Sequence, residues 1–432
     1  MLDYPRSPVT AEIAALPLPR VLKARQRLVG PEVGDIAAAV HQELERAGLA
    51  TRIKPGAKVA ITVGSRGIAA IPQAAAAVVA EVRRLGGEPF IVPSMGSHGG
   101  ATAEGQLTIL AEIGVTEATV GAPIKATMEV VELGKLARGM PVYMDKYAAG
   151  ADAIILLNRI KPHSPWGHIG SGLMKVSTIG LGKQKGCNTI HTWTVGTAQL
   201  YHTIIEAYNL VREKAPIVMG VGIIDNQYAR PAKIVALLPE ELPEREPGLR
   251  READRLVARL PFDDLHVLVL DQMGKNTSPG GVDPLVIGRP KTDPDGNPIA
   301  GQPNIKRVVV LDLTPQSHGN AIGLGNVDLT TRRLASKIDF YASYMNSISA
   351  CAVDGVRVPM TLPNDREALQ VAALSCGLEA RRALRLVRAK NTLKIDEFYL
   401  SEALVPELKN LPNVEPLGEL EPLPFDEQGN LF

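Results

Sequence analysis

Apolar residues recur along this chain in two rhythms. Short, nearly unbroken runs at 58–63 (KVAITV), 88–93, 152–158, 216–224 (PIVMGVGII), 265–270 and 306–311 (KRVVVL) have the length of strands buried on both faces. Between them, apolar positions spaced three or four apart predict helices over 31–47, 72–85, 197–214, 241–260, 330–340 and 365–376. The first run ends in Gly64-Ser65-Arg66-Gly67 and the second in Gly96-Ser97-His98-Gly99-Gly100, and a helix follows each, with Thr102 as the candidate cap of the second. Two consecutive strand, loop and helix units predict a parallel sheet whose strand ends open on one edge.

At 432 residues the chain is too long for one ordinary core. The expected fold class is α/β: two α/β domains with largely parallel sheets, one over 1–262 and one over 263–432, and the site in the cleft between them. The Gly/Pro/Asp-rich stretch 280–302 reads as an excursion with a turn at Asp295-Gly296, and the proline-rich acidic tail from about 412 as surface chain. Net charge is +1, from 47 basic and 46 acidic side chains, which supplies no field for nucleic acid or an anionic membrane. Three cysteines, none in a C-x-x-C pair, make no disulfide framework. No signal peptide or membrane-spanning run is read in the sequence, so a cytoplasmic location is expected.

Chemistry concentrates in residues 152–191, DAIILLNRIKPHSPWGHIGSGLMKVSTIGLGKQKGCNTIH, which hold three of the eight histidines. Lys175 stands among Leu173, Met174, Val176 and Ile179, where poor solvation would lower its pKa and make it a nucleophile, although a lysine that snorkels to water is the commoner outcome. His163 follows Lys161-Pro162, with His168 as a competitor and Trp166 as lid or packing; His191 closes the segment. His98 lies between glycines that let a ligand approach the backbone, and by itself reads as a turn histidine. Arg66 and Lys275 follow strands in the two expected domains and would clamp a carboxylate, with Gln272 three residues before Lys275; surface positions are the bland alternative for both cations. Zinc, P-loop and dinucleotide fingerprints are missing.

Taken in order, Ser65-Arg66, Gly96-Ser97-His98, Pro162-His163, Ser171-Gly172-Leu173-Met174-Lys175, His191 and Gln272-x-x-Lys275 resemble the nickel-dependent lactate racemase family. The resemblance covers about 59–275. It implies a nickel-pincer nucleotide, a nickel-bound pyridinium mononucleotide with two sulfur arms, joined to Lys175 through a thioamide, with His191 as the protein ligand of the metal. It further implies His98 and His163 as paired acid/bases, Arg66 and Lys275 on the substrate carboxylate, Gln272 as a hydrogen-bonding neighbour, and Ser65 close to the cofactor. Val63, Gly67 and Gly99-Gly100 stand where the family often has other residues, which leaves room for a substrate other than lactate.

The expected activity is racemisation or epimerisation of a 2-hydroxy acid through a 2-keto acid: hydride leaves Cα for the cofactor while one histidine takes the hydroxyl proton, and the second histidine serves the other face. Expected partners are the small acid and the proteins that make the cofactor. Two alternatives stay open: a Schiff-base lysine enzyme of aldolase or pyridoxal type, and a non-catalytic protein that binds the cofactor.

Overall fold

The computed structural model describes residues 12, 13, 15–64, 70–162, 164 and 167–431. Among these the strands are, in chain order, β1 (Val21–Gln26), β2 (Lys58–Val63), β3 (Glu88–Pro93), β4 (Val130–Lys135), β5 (Pro141–Asp145), β6 (Ala153–Arg159), β7 (Ile217–Asp225), β8 (Pro231–Leu237), β9 (Asp264–Leu270), β10 (Asn304–Val310), β11 (Leu329–Thr331), β12 (Met360–Leu362), β13 (Leu386–Ala389), β14 (Glu397–Ser401) and β15 (Val414–Pro416). The first sheet has the order β3-β2-β6-β7-β8, parallel except for β8. The second has the order β12-β11-β10-β9-β13-β14-β1-β15, parallel from β12 to β13 and antiparallel from there on. The α/β class with largely parallel sheets is borne out.

Apolar runs become central strands because both faces are covered. In β6, Ile154 and Leu156 pack into one core cluster while Ile155 and Leu157 pack into the other, and all four are 0% exposed. The covering helices include α1 (Ile36–Arg46), α2 (Ile71–Arg84), α3 (Ala103–Glu112), α4 (Leu173–Lys175), α5 (Lys183–Thr194), α6 (Leu200–Lys214), α7 (Leu242–Arg255), α8 (Phe340–Ser349) and α9 (Asp365–Leu374). Thr102 caps α3 as expected, its hydroxyl accepting from Gly105 N at 3.0 Å.

Sequence expectation and structure differ at three places. The span expected as a helix over 330–340 begins instead with the β-branched strand β11, and Thr331 then caps a single turn, Arg332–Ala335; the long helix α8 starts only where Asp339 accepts from Ala342 N. The segment after Gly172, which lies outside every helix predicted from the sequence, is helical: α4 runs into a π turn, Val176–Gly180, and then α5. Thirdly, β1 is hydrogen bonded in the second sheet between β14 and β15, although it precedes every strand of the first. Such pairing over nearly four hundred residues leaves no local trace in sequence. The chain after 412 is tied down through β15 and a bridge from Glu421 to Val21. No described helix is long and apolar enough to cross a membrane.

Candidate active site

Parallel strands β2, β3 and β6 end on one edge of the first sheet, and the chain just beyond them lines a cavity of about 460 Å³. Gly64, Ser94 to His98, Asn158 and Arg159 contribute from that edge; Lys175, Cys187 and His191 come from the helical segment, and Lys275, Asn346 and Cys351 from the side of the second sheet. Four residues singled out in the sequence, His98, Lys175, His191 and Lys275, therefore line one cavity.

The backbone that carries His98 is fixed from beneath. Gln106, buried on α3, donates from Nε2 to the carbonyls of Gly96 at 2.8 Å and His98 at 3.4 Å. Its Oε1 accepts from Lys183 Nζ at 3.2 Å, and the same ammonium donates to Pro93 O at the end of β3. Lys183 forms an ion pair with Asp145 at 3.1 Å, with both side chains 0% exposed. Asp145 Oδ1 also accepts from Tyr147 N and Ala148 N. A buried pair of this kind holds position because removal of either partner strands the other charge.

Lys175 owes its place to Glu246 of α7. The carboxylate is 0% exposed, and its Oε2 accepts from Leu173 N at 3.1 Å and Met174 N at 3.0 Å, the unpaired donors at the start of α4. Burial pushes the Glu246 carboxyl up to about 7, and the two backbone donors oppose that rise. Burial also brings the Lys175 amine down to about 8, with Cys187 pulling weakly the other way. Among the described residues, nothing forms a hydrogen bond or ion pair with Lys175 Nζ.

Cys187 and His191 are four residues apart on α5, so they present one face to the cavity. His191 is held down to about 4, first by burial and then by Lys175. It is a neutral imidazole at pH 7, with a lone pair for a metal or a proton. Across the cavity, Lys275 is 7% exposed and donates to Asn346 Oδ1 at 2.9 Å and to Pro279 O, while its own N donates to Ser317 Oγ at 2.9 Å.

Gln272 is half-buried, its N donating to Lys390 O at 2.9 Å, and it is not among the residues that line the cavity. His168 is exposed and does not line the cavity, its ring 5.0 Å from that of His202 and 6.0 Å from that of Tyr201. Ser65, Arg66, His163 and Trp166 lie outside the described residues. Sequence reasoning missed Glu246, Lys183, Gln106, Cys187 and Asn346. A charged residue between Pro243 and Pro247, or inside the glycine-rich GLGKQKG, was the only signal two of them gave.

Residues 4–200 match the lactate racemase N-terminal domain. No curated protein matches the chain. Among solved structures, the lactate racemase apoprotein from Thermoanaerobacterium thermosaccharolyticum aligns over 87% of this chain and 96% of its own, at 11% identity and a TM-score of 0.46. The resemblance carried by the motifs is thereby matched independently over the first 200 residues, and that part of the chain is similar to the N-terminal domain of lactate racemases.

Proposed function

We propose that the chain is a racemase or epimerase of a 2-hydroxy acid that works with a nickel-pincer nucleotide attached to Lys175, in the cleft between two α/β units. The observation that carries the reading is the convergence of His98, Lys175, His191 and Lys275 on one cavity. The residues fit the group. Lys175, an amine with a pKa near 8, would be the point of attachment of the cofactor, and His191, a neutral imidazole, would be the protein donor to its nickel. Once bound, the cofactor supplies a hydride acceptor for the Cα hydrogen, which is too weakly acidic for an ordinary base.

The chain's own residues do the rest. Lys275 and Arg66 hold the substrate carboxylate, and Ser65 serves the cofactor, while Gln272, which does not line the cavity, takes no part. His98 takes the hydroxyl proton of one enantiomer and His163 that of the other, so each hand of substrate uses one histidine on the way in and the other on the way out. The clamp keeps the 2-keto acid from leaving before it turns over.

Protein made beside the cofactor-synthesis proteins is to be examined by intact mass and metal analysis. A mass adduct lost in Lys175→Ala, together with stoichiometric nickel, is the expected result. An adduct that survives Lys175→Ala sinks the assignment, and an absorbance band abolished by hydroxylamine, without nickel, selects the Schiff-base alternative.

A further inference from the structure

The helix α8 inverts the usual arrangement of a surface helix. Phe340, Tyr341, Tyr344 and Ile348 are 50%, 72%, 45% and 54% exposed, whereas Ser343, Ser347 and Ser349 are buried. With 3.6 residues to the turn, the four apolar side chains fall within about 100° of arc and make one outward stripe. The serines can lie inward because each hydroxyl donates to a nearby carbonyl, Ser343 to Asp339 O at 2.7 Å, Ser347 to Ala352 O at 2.8 Å and Ser349 to Met345 O at 2.8 Å. A third side of the same helix borders the candidate site through Asn346 and Ala350.

The stripe continues past both sides of the helix end. Val353, 66% exposed, opens the turn after α8, where Ala352 N donates to Ser347 O at 3.0 Å. Trp193 of α5, 45% exposed, follows Thr192, whose Oγ1 lies 3.5 Å from Cys351 Sγ. Together these six side chains present on the order of 600 Å², taking about 150–250 Å² for a whole ring and rather less for an aliphatic chain. That is the upper end of what one patch on a monomer ordinarily exposes, about 300–600 Å², and most of the roughly 800 Å² that each partner brings to a standard interface.

Charge narrows the choice of what covers it. From Phe340 to Val353 the sequence has no acidic or basic residue, and just beyond, Asp354 and Arg357 pair with each other. A strongly charged partner finds nothing to complement it, and a membrane-surface helix would carry Lys and Arg on its polar face, where α8 has serines. Self-contact is different: identical faces brought together about a two-fold axis repel if they carry net charge, and a neutral aromatic face does not.

We propose that α8 and Trp193 form a dimer interface, with the outward stripe of one chain packed on the same stripe of a second copy. The inference goes beyond the racemase reading and does not depend on it. Its link to the site is α8 itself, because Asn346, on another side of that helix, accepts from Lys275 Nζ at 2.9 Å.

Sedimentation equilibrium of the full-length apoprotein tests it. The weight-average mass is expected to rise from 46.1 kDa toward twice that value between about 1 and 100 µM. Tyr341→Glu and Ile348→Glu, which place a like charge on both sides of the axis, should each raise the dissociation constant at least about tenfold. Val29→Glu, at a side chain 84% exposed outside the patch, should leave it unchanged. A measurement on the parent needs no variant: amide hydrogen exchange over 340–353 should be slower at 100 µM than at 1 µM. A parent that stays at 46.1 kDa throughout overturns the proposal, as does a dimer whose dissociation constant neither glutamate moves, or exchange over 340–353 that ignores concentration. A monomer that instead binds phosphatidylcholine–phosphatidylserine vesicles through these residues also overturns it and gives the face to a membrane.

Discussion

A Cβ placed on Gly172 would lie 2.0 Å from Oε1 of Glu246, so the carboxylate that starts the Lys175 helix occupies the space of a missing side chain. Gly172→Ala must displace either that carboxylate or the turn it holds. Both changes should be felt at Lys175, three residues on. The expected loss is about 1–3 kcal/mol from the unmade hydrogen bonds, measured by urea unfolding.

Glu246 gives stability a particular pH dependence. Its folded pKa, about 7, lies above the ordinary carboxylate value, so between about 4.5 and 7 the folded state binds more protons than the unfolded one. Stability contributed by this group is therefore largest at the acid end, falls as pH rises through that window, and is level above it. The difference in unfolding free energy between the parent and Glu246→Gln should fall across the same interval. A difference that stays flat from pH 4.5 to 8 would contradict the buried, protonatable state.

Lys175 should react as an unusually available amine. With a pKa of about 8, half of it is neutral at pH 8, whereas a solvated lysine is neutral to well under about 1% there. Labelling of the apoprotein by an amine-reactive probe, followed by peptide mass spectrometry, should show Lys175 modified ahead of the other lysines with a midpoint near pH 8. A midpoint above 10 would mean that the amine is solvated.

His191→Ala is expected to separate attachment from metal binding. Cofactor-loaded protein should keep its mass adduct at Lys175 and lose nickel on dialysis, because the imidazole that is neutral at pH 7 is gone. Nickel content equal to that of the parent after dialysis would remove His191 from the ligand role.

The support beneath His98 can be weighed with a double-mutant cycle on Lys183 and Asp145. Lys183→Met alone strands a buried carboxylate and should cost about 3–5 kcal/mol. Adding Asp145→Asn should recover part of that loss, since no lone charge then remains. Purely additive losses would show that the pair is uncoupled.

Much of this was readable from residue order. Two-faced apolar runs such as 153–159 allow only a covered parallel sheet, and glycines and prolines after the runs mark where the chain must leave it, which brought out His98, Lys175, His191 and Lys275. Local signals were equally sufficient for the cap at Thr102. Residues 330–340 went astray because apolar spacing over so short a stretch fits strand and helix alike, and the caps at Thr331 and Asp339 decided between them.

Tertiary structure alone decided what lies beneath and around the site. Glu246 approaches Leu173 from 73 residues away and Lys183 reaches Gln106 across 77, contacts that leave no periodicity in the sequence. Nor does sequence spacing say that Lys275 and His98, 177 positions apart by their numbers, line the same cavity. Residue types fix which chemistry is available; the depth of burial, and hence an amine near 8, an imidazole near 4 and a carboxyl near 7, is set by how distant segments close over them.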